Sequence, residues 1–398
     1  MLLIAAPGQG AQAPGFLTPW LELPGFADRL AAWSPLAGCD LIRCGTTAGT
    51  DEIRDTAVAQ PLLLAASIAA AEVLAGGPSQ TARLAGAAAG HSVGEFAAGV
   101  IAGTIAAEDA IRLVRVRGQA MAQASAAEPT GMTAVLGGDQ ATVLAALEAH
   151  GLTPANVNGA GQIVAAGTLD QLAALAADPP AGAKLRTLSV AGAFHTAHMA
   201  PAVAALREAA AGLPVADPQL TLLSNRDGQV VRTGTDWLER VITQVSAPVR
   251  WDKCMRAMTD LGVSALVELP PAGTLTALAR RAGLGLQLTA LKTPGDLDTA
   301  RRLMAEHADS HDDSHAPEWR LLVAPLAGTF RACPGQADSA GPGTAVGSGA
   351  ELGHVEMRGG SHLIAPSFPA TIIEWLVEDG DPVSTGQPLV RLLPDGIR

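Results

Sequence analysis

Short apolar runs alternate with amphipathic stretches through the first third of this chain. LLIAAP (2–7) reads as a buried strand that stops at Pro7-Gly8-Gln9-Gly10, and LAGAAAG (84–90) as a second one ending at His91-Ser92. Positions 93–102 have helical character, and 108–122 place Ile111, Val114 and Met121 on one side of a helix. The alanine-rich stretch 62–76, interrupted by Ser67 and Glu72, reads as a buried helix. Strands alternating with helices predict an α/β core with a parallel sheet.

From about 125 to 190 the rhythm changes. MTAVLG (132–137) reads as a strand, 139–150 as a helix, PANVNG and QIVAAG as two strands, 168–177 as a helix and 184–190 as a last strand. That βαββαβ order predicts a ferredoxin-like unit inserted into the larger domain, because α/β character resumes after it. Residues 301–319 are expected to form a linker, since HADSHDDSHAPEW (307–319) is polar and charged. His307, His311 and His315 recur every four residues and could line one helical face as metal ligands. The intervening Asp309, Asp312 and Asp313, with Pro317 just after, favour a solvated linker. Residues 320–398 read as all-β, with G-x-x-V-x-x-G-x-x-L-x-x-V from Gly343 to Val355 returning 37 residues later from Gly380 to Leu392.

Composition narrows the class. The chain has 398 residues, 48% hydrophobic and 16% charged, enough for two or three domains. A formal net charge of −12 argues against a general nucleic-acid binder. Cys39, Cys44, Cys254 and Cys333 lack C-x-x-C spacing and read as reduced thiols. The N-terminus has no basic region of a signal peptide, and no run approaches the roughly 18 apolar residues of a membrane span. The expectation is a soluble cytoplasmic protein without a metal.

GHSVGEF (90–96) follows a strand and opens a helix, the setting of a G-x-S-x-G elbow. The turn lifts the Ser92 hydroxyl out of the chain, and the helix N-terminus offers N–H groups to a developing oxyanion. His195, in SVAGAFHTAHM (189–199), is the best base: it follows a predicted strand, where a loop can present it. A structural core histidine is the competing reading for it. His198 reads as a surface or core residue, and His91 points away from the base position.

Seven ordered motifs carry a family resemblance: P-G-Q-G-A-Q (7–12), A-Q-P (59–61), G-H-S-V-G-E (90–95), R-G-x-x-M (117–121), G-A-F-H (192–195), Q-x-x-x-P-V-x-W (244–251) and E-L-P-P-A-G-T-L (268–275). Over residues 1–300 the chain resembles malonyl-CoA:acyl carrier protein transacylases. Pro270 stands where that family commonly has glycine. The resemblance implies an α/β-hydrolase-like parallel-sheet core and a ping-pong transfer of malonyl from coenzyme A to a carrier protein's phosphopantetheine thiol, in fatty-acid or polyketide synthesis. It implies Ser92 as nucleophile, His195 as base and later acid, the Gln9 and Val93 N–H groups as oxyanion hole, and Gln244 orienting His195 through its carbonyl. It also implies Arg117 on the malonyl carboxylate, with Phe194 and Met121 beside the substrate, and no bound cofactor. An acidic carrier would need a basic patch: Lys184 with Arg186, Arg250 with Lys253 and Arg256, or Arg280 with Arg281. An acyl-thioester hydrolase using the same pair, or a non-catalytic scaffold, are the alternatives.

The tail resembles biotinyl/lipoyl carrier domains, through A-P-L-A-G-T-F (324–330), the repeat, and V-E-D-G-D-P-V-x-x-G-x-P-L (377–389). The resemblance implies a flattened barrel of two half-units whose hairpin tip bears a modified lysine. Here Arg358 or Gly359 occupies that position, and the last lysine in the chain is Lys292. Arginine's protonated guanidinium cannot form the amide. The tail is therefore expected to act as a docking module for a partner such as a carboxylase that makes malonyl-CoA, or to stabilise the enzyme.

Overall fold

The computed structural model describes residues 1–190, 192–308, 320–333, 343–357 and 359–394. It divides into two units, residues 1–309 and 310–398.

LLIAA, AAAG and ALVE are buried at every position, which suits strands covered on both faces. They form the centre of a six-stranded sheet in the order Gln287–Ala290, Ala265–Glu268, Leu2–Ala6, Ala87–Gly90, Thr221–Leu223, Val230–Val231. All pairings are parallel except the last. Ala6 lies opposite Gly90, so the loops after these strands, 7–10 and 91–93, emerge side by side. A parallel sheet presents its sites at this carboxyl edge.

The elbow is packed to its limit. A Cβ on Gly90 would lie 1.9 Å from the Gly94 carbonyl carbon, and one on Gly94 would lie 2.2 Å from Ala6 O. Gly94→Ala is therefore expected to cost about 1–3 kcal/mol by overpacking. At about 2–4 °C per kcal/mol in a domain this size, thermal unfolding should show a Tm several degrees lower. An unchanged Tm would refute it. Nearby, fully buried Glu268 accepts from the N–H groups of Gly273, Leu275 and Thr276, capping the helix Thr274–Arg281. That capping explains the E-L-P-P-A-G-T-L motif.

The helix Thr56–Ala75 corrects the expectation that no run is long and apolar enough to cross a membrane: it has 20 residues and mean hydropathy 1.7. Ser67 and Glu72 do not interrupt it, because each finds a partner inside the fold, Pro270 O and Arg29. The helix packs against Phe26–Ala37, Gly94–Ile101 and Ala107–Ala127, and 83% of its apolar window is buried.

The inserted segment forms an antiparallel sheet in the order Thr153–Gly159, Gln162–Thr168, Thr130–Gly137, Ala183–Thr187. Its helices Gln140–Ala149 and Leu169–Ala177 bury Val143, Leu147 and Leu175 against Val135 and Ile163. This is the connectivity of a ferredoxin-like unit. The last strand ends at Thr187 rather than 190, since 188–190 turn towards the cleft described below. Two backbone hydrogen bonds, Val157 N to Val249 O (2.9 Å) and Val249 N to Ala155 O (2.8 Å), help tie the insert to the core.

A linker starting at residue 301 is corrected too. The helix Leu297–Ala308 continues through it, and Leu297, Ala300 and Leu303 are buried in the core of the first unit. His307 sits on that helix, 3.1 Å from Ser264 Oγ, whereas His311, His315 and the rest of 309–319 lie outside the described residues. No cluster of metal-ligating side chains occurs among the described residues, and the four cysteines are free thiols.

The second unit holds two four-stranded antiparallel sheets. One orders Arg320–Val323, Pro388–Pro394, Ala370–Trp375 and Ala345–Val346; the other orders Gly360–Ile364, Gly353–Met357, Gly328–Ala332 and Pro382–Val383. In chain order these are two sets of four. Each sheet takes its first and third strands from one set and its second and fourth from the other. The sequence repeat falls on equivalent places: Gly343 and Gly380 have φ 91° and 93°, Gly349 and Gly386 75° and 82°. Val346 and Val383, Leu352 and Leu389, and Val355 and Leu392 are all buried. Met357 pairs with Gly360 across a two-residue tip, where Gly359 has φ 114°; Arg358 lies outside the described residues.

Candidate active site

Ser92 sits at the elbow with φ 55°, a left-handed conformation unusual for serine. Its N–H donates to Asn225 Oδ1 (2.8 Å), which fixes the turn. His195 also has a left-handed φ, 62°, and its N–H donates to Val245 O. Two of the three such non-glycine residues among those described thus face one another here. The Ser92 hydroxyl lies 2.8 Å from His195 Nε2, and His195 Nδ1 lies 2.8 Å from the Gln244 backbone oxygen. A carbonyl only accepts, so Nδ1 carries the proton and Nε2 is left to accept from Ser92.

Burial, helped by the Arg117 charge, pulls His195 down to about 3, against the Gln244 hydrogen bond that favours its charged form. The imidazole is therefore neutral throughout the physiological range. The prediction is that kcat/KM for acylation stays flat between about pH 5 and 8, without the inflection near 6.5 of an ordinary histidine. In Arg117→Ala the repulsion is lost and the limb should move to higher pH. A fall centred near 6.5 in the parent enzyme would contradict this. The unfolded chain binds the proton that the native imidazole refuses, so the same group makes the fold less stable as pH falls from about 6.5 towards 3.

Arg117, on the helix Ala107–Ala127, is fully buried. It donates to Gln60 Oε1 (2.5 Å), Gln244 Oε1 (3.2 Å) and Ser92 Oγ (3.3 Å), while its Nε has no partner. Burial lowers it to about 10, which leaves it cationic at neutral pH. No carboxylate is in ion-pair contact with it among the described residues. A buried guanidinium without an ion-pair partner, 3.3 Å from a serine hydroxyl, is able to receive an anion.

A cleft of about 510 Å³ brings Gln9, Ser92, Val93, Arg117, Met121, Phe194 and His195 from the core together with Met132, Asn156, Leu188 and Val190 from the insert. Gly8 lies against the elbow, where a Cβ would be 2.7 Å from His91 O. The N–H groups of Gln9 and Val93 find no backbone acceptor among the described residues. Val93 stands at the N-terminus of the helix Gly94–Ile101. His91 lines the cleft, but its Nε2 is engaged 2.8 Å from Asn158 Oδ1 rather than on Ser92. His198 lies 2.8 Å from Glu128, partly exposed.

The first unit matches the acyl transferase domain family over residues 6–291. The malonyl CoA-acyl carrier protein transacylase of Mycobacterium bovis is 54% identical over 306 residues, covering 76% of this chain and all of that protein. The chain belongs to the malonyl-CoA:acyl carrier protein transacylase family. The Escherichia coli K12 transacylase is 34% identical over 75% of this chain and 97% of its own. Among solved structures, a Mycobacterium tuberculosis transacylase superposes with TM-score 0.72 at 53% identity, covering 76% of this chain and 99% of that one. A malonyl-transacylase solved with a type II polyketide-synthase acyl carrier protein superposes at 0.70 and 30% identity, covering 76% and 99%.

Three residues of this transacylase site carried no role in the sequence reading. Gln60 and Glu95 stand inside quoted motifs, A-Q-P and G-H-S-V-G-E, as buried polar groups. Asn225 is buried too, but it stands in none of those motifs.

Proposed function

We propose that this chain moves a malonyl group from coenzyme A to the phosphopantetheine thiol of an acyl carrier protein, with no bound cofactor, for fatty-acid or polyketide synthesis. The observation that carries the reading is the buried, carboxylate-free guanidinium of Arg117, 3.3 Å from Ser92 Oγ. As Ser92 Oγ attacks the thioester carbon, its proton passes to His195 Nε2. The oxyanion is held by the N–H groups of Gln9 and Val93. Collapse breaks the C–S bond, His195 returns the proton to the departing coenzyme A thiolate, and malonyl remains esterified to Ser92. The carrier thiol then gives its proton to His195 and attacks this ester, and Ser92 leaves reprotonated. Phe194 and Met121 fill the space around the malonyl α-carbon. Intact mass spectrometry after mixing with malonyl-CoA tests the reading: one malonyl group is gained and then passed to a phosphopantetheinylated carrier. Release to water instead would favour the hydrolase alternative.

Of the basic candidates, Lys184 and Arg186 suit the carrier's acidic surface. They are exposed, lie two apart on the strand Ala183–Thr187, and lead into the cleft wall at Leu188 and Val190. Arg250 is engaged by Asp252, and Arg281 by Gln162. Four free thiols suit a cytoplasmic setting.

The tail is a flattened barrel of biotinyl/lipoyl type without an attachment lysine, and it serves as a docking module for an enzyme that handles carrier domains, such as a carboxylase. Its exchanged two-half architecture and its Met357–Gly360 hairpin support this. Truncation belongs after residue 308, because the helix Leu297–Ala308 packs on the first unit. Normal transfer with lost partner capture supports docking; an unstable truncate supports a structural role.

A further inference from the structure

Glu95 is a buried carboxylate that the transfer chemistry does not use. It lies on the first turn of the helix Gly94–Ile101 with 3% exposure. One oxygen accepts from the Asn225 N–H (2.7 Å), and the other from the side-chain amide nitrogen of Gln244. Asn225 is itself pinned, because its Nδ2 donates to Gly90 O (2.7 Å) and its Oδ1 accepts from Ser92 N–H. The far side of the Gln244 amide, Oε1, accepts from Arg117 at 3.2 Å.

The polarity of this chain of contacts is forced. Guanidinium only donates, and both Glu95 oxygens accept here, so an amide between them has one satisfactory orientation. Gln244 must turn its nitrogen to Glu95 and its oxygen to Arg117. A flipped amide would set donor against donor at one end and acceptor against acceptor at the other. Burial pushes Glu95 up to about 8, against the Asn225 hydrogen bond and the Arg117 charge, which favour the carboxylate. Direct contact between Glu95 and Arg117 would satisfy both charges but occupy the guanidinium.

We propose that Glu95 is the positioning residue for malonyl selectivity: held one amide away from Arg117, it fixes the Gln244 amide that aims the guanidinium while leaving that cation free for the substrate carboxylate. The proposal rests on the malonyl-transfer reading. It separates two jobs of Gln244, whose backbone oxygen orients His195 and whose side chain relays Glu95 to Arg117. Glu95→Gln keeps the size of the side chain but can present an N–H to Gln244, so the amide orientation is no longer dictated.

The test is single-turnover loading of the full chain with malonyl-CoA and, separately, acetyl-CoA. In Glu95→Gln, malonyl loading should fall at least about tenfold while acetyl loading stays within about threefold, narrowing the preference. Glu95→Asp, which keeps the carboxyl group, should recover a substantial part of it. In an Arg117→Ala background, Glu95→Gln should leave the donor ratio unchanged. A preference equal to the parent's, or equal losses with both donors, overturns the proposal. If Glu95→Gln does not fold, Gln244→Leu decides, since it deletes the relay but keeps the backbone oxygen; an unchanged donor ratio there overturns the proposal as well. A parent enzyme that fails to prefer malonyl refutes the underlying reading instead.

Discussion

Ser92→Ala is expected to abolish the acyl-enzyme and to slow coenzyme A release by at least about 10⁴-fold. Ser92 Oγ lies 2.8 Å from His195 Nε2 and lines the cleft. Without it, His195 stays neutral and Arg117 still recruits malonyl-CoA, so substrate affinity should survive while chemistry does not. Intact mass spectrometry reads the result directly. The parent gains one malonyl group, and the variant gains none even after long incubation. A malonylated Ser92→Ala protein would place the nucleophile elsewhere and remove the basis of the transfer scheme. The fold should persist, because Ser92 N–H keeps its bond to Asn225 and alanine takes the same left-handed turn at similar strain.

Arg117→Ala is the second large effect, and it is selective. Leaving a buried charge without its partner costs on the order of 3–5 kcal/mol. At about 1.4 kcal/mol per tenfold, the parent should prefer malonyl over acetyl by a hundredfold or more. Removing the guanidinium should collapse that ratio towards one, mostly through loss of malonyl loading. Acetyl loading should hold or rise, because the empty receptor no longer has to stay unpaired. Loading of matched malonyl-CoA and acetyl-CoA measures the ratio; a variant that keeps it would mean another group reads the carboxylate. A pocket wall separates methylmalonyl from malonyl by only about 1–3 kcal/mol, so that second preference should be the weaker one.

The parallel sheet was legible because its strands are uniformly apolar and end in glycine- and proline-marked loops. The insert was legible because its hydrophobic period switches. Ser92 and His195 stand in turns that sequence can mark, the elbow by its glycines and the base by its position after a strand. What escaped were contacts between distant buried polar groups. Nothing local to Asn225 says that it will hold Ser92 and Glu95 together, since those partners come from another strand and helix. The buried helix expected over 62–76 is present and starts earlier, at Thr56, while the partner that accommodates Glu72 inside it, Arg29, has no local mark in the sequence. Leu297–Ala308 was cut short because its polar face resembles the linker that follows, while Leu303 finds its core only in three dimensions. In the tail, the glycine repeat marked equivalent turns, but the exchange of strands between the two sheets is a property of pairing, not of spacing.

The pair of hydrogen bonds joining Val249 to residues 155 and 157 has a mechanical meaning. Val249 follows Gln244 by five residues, so the segment that presents a carbonyl to His195 is also bridged to the insert, at Asn156. The insert is thus tied by backbone hydrogen bonds to the segment that aligns the base. Any displacement of the insert would be transmitted along this short stretch of chain to the hydrogen bond that sets the imidazole.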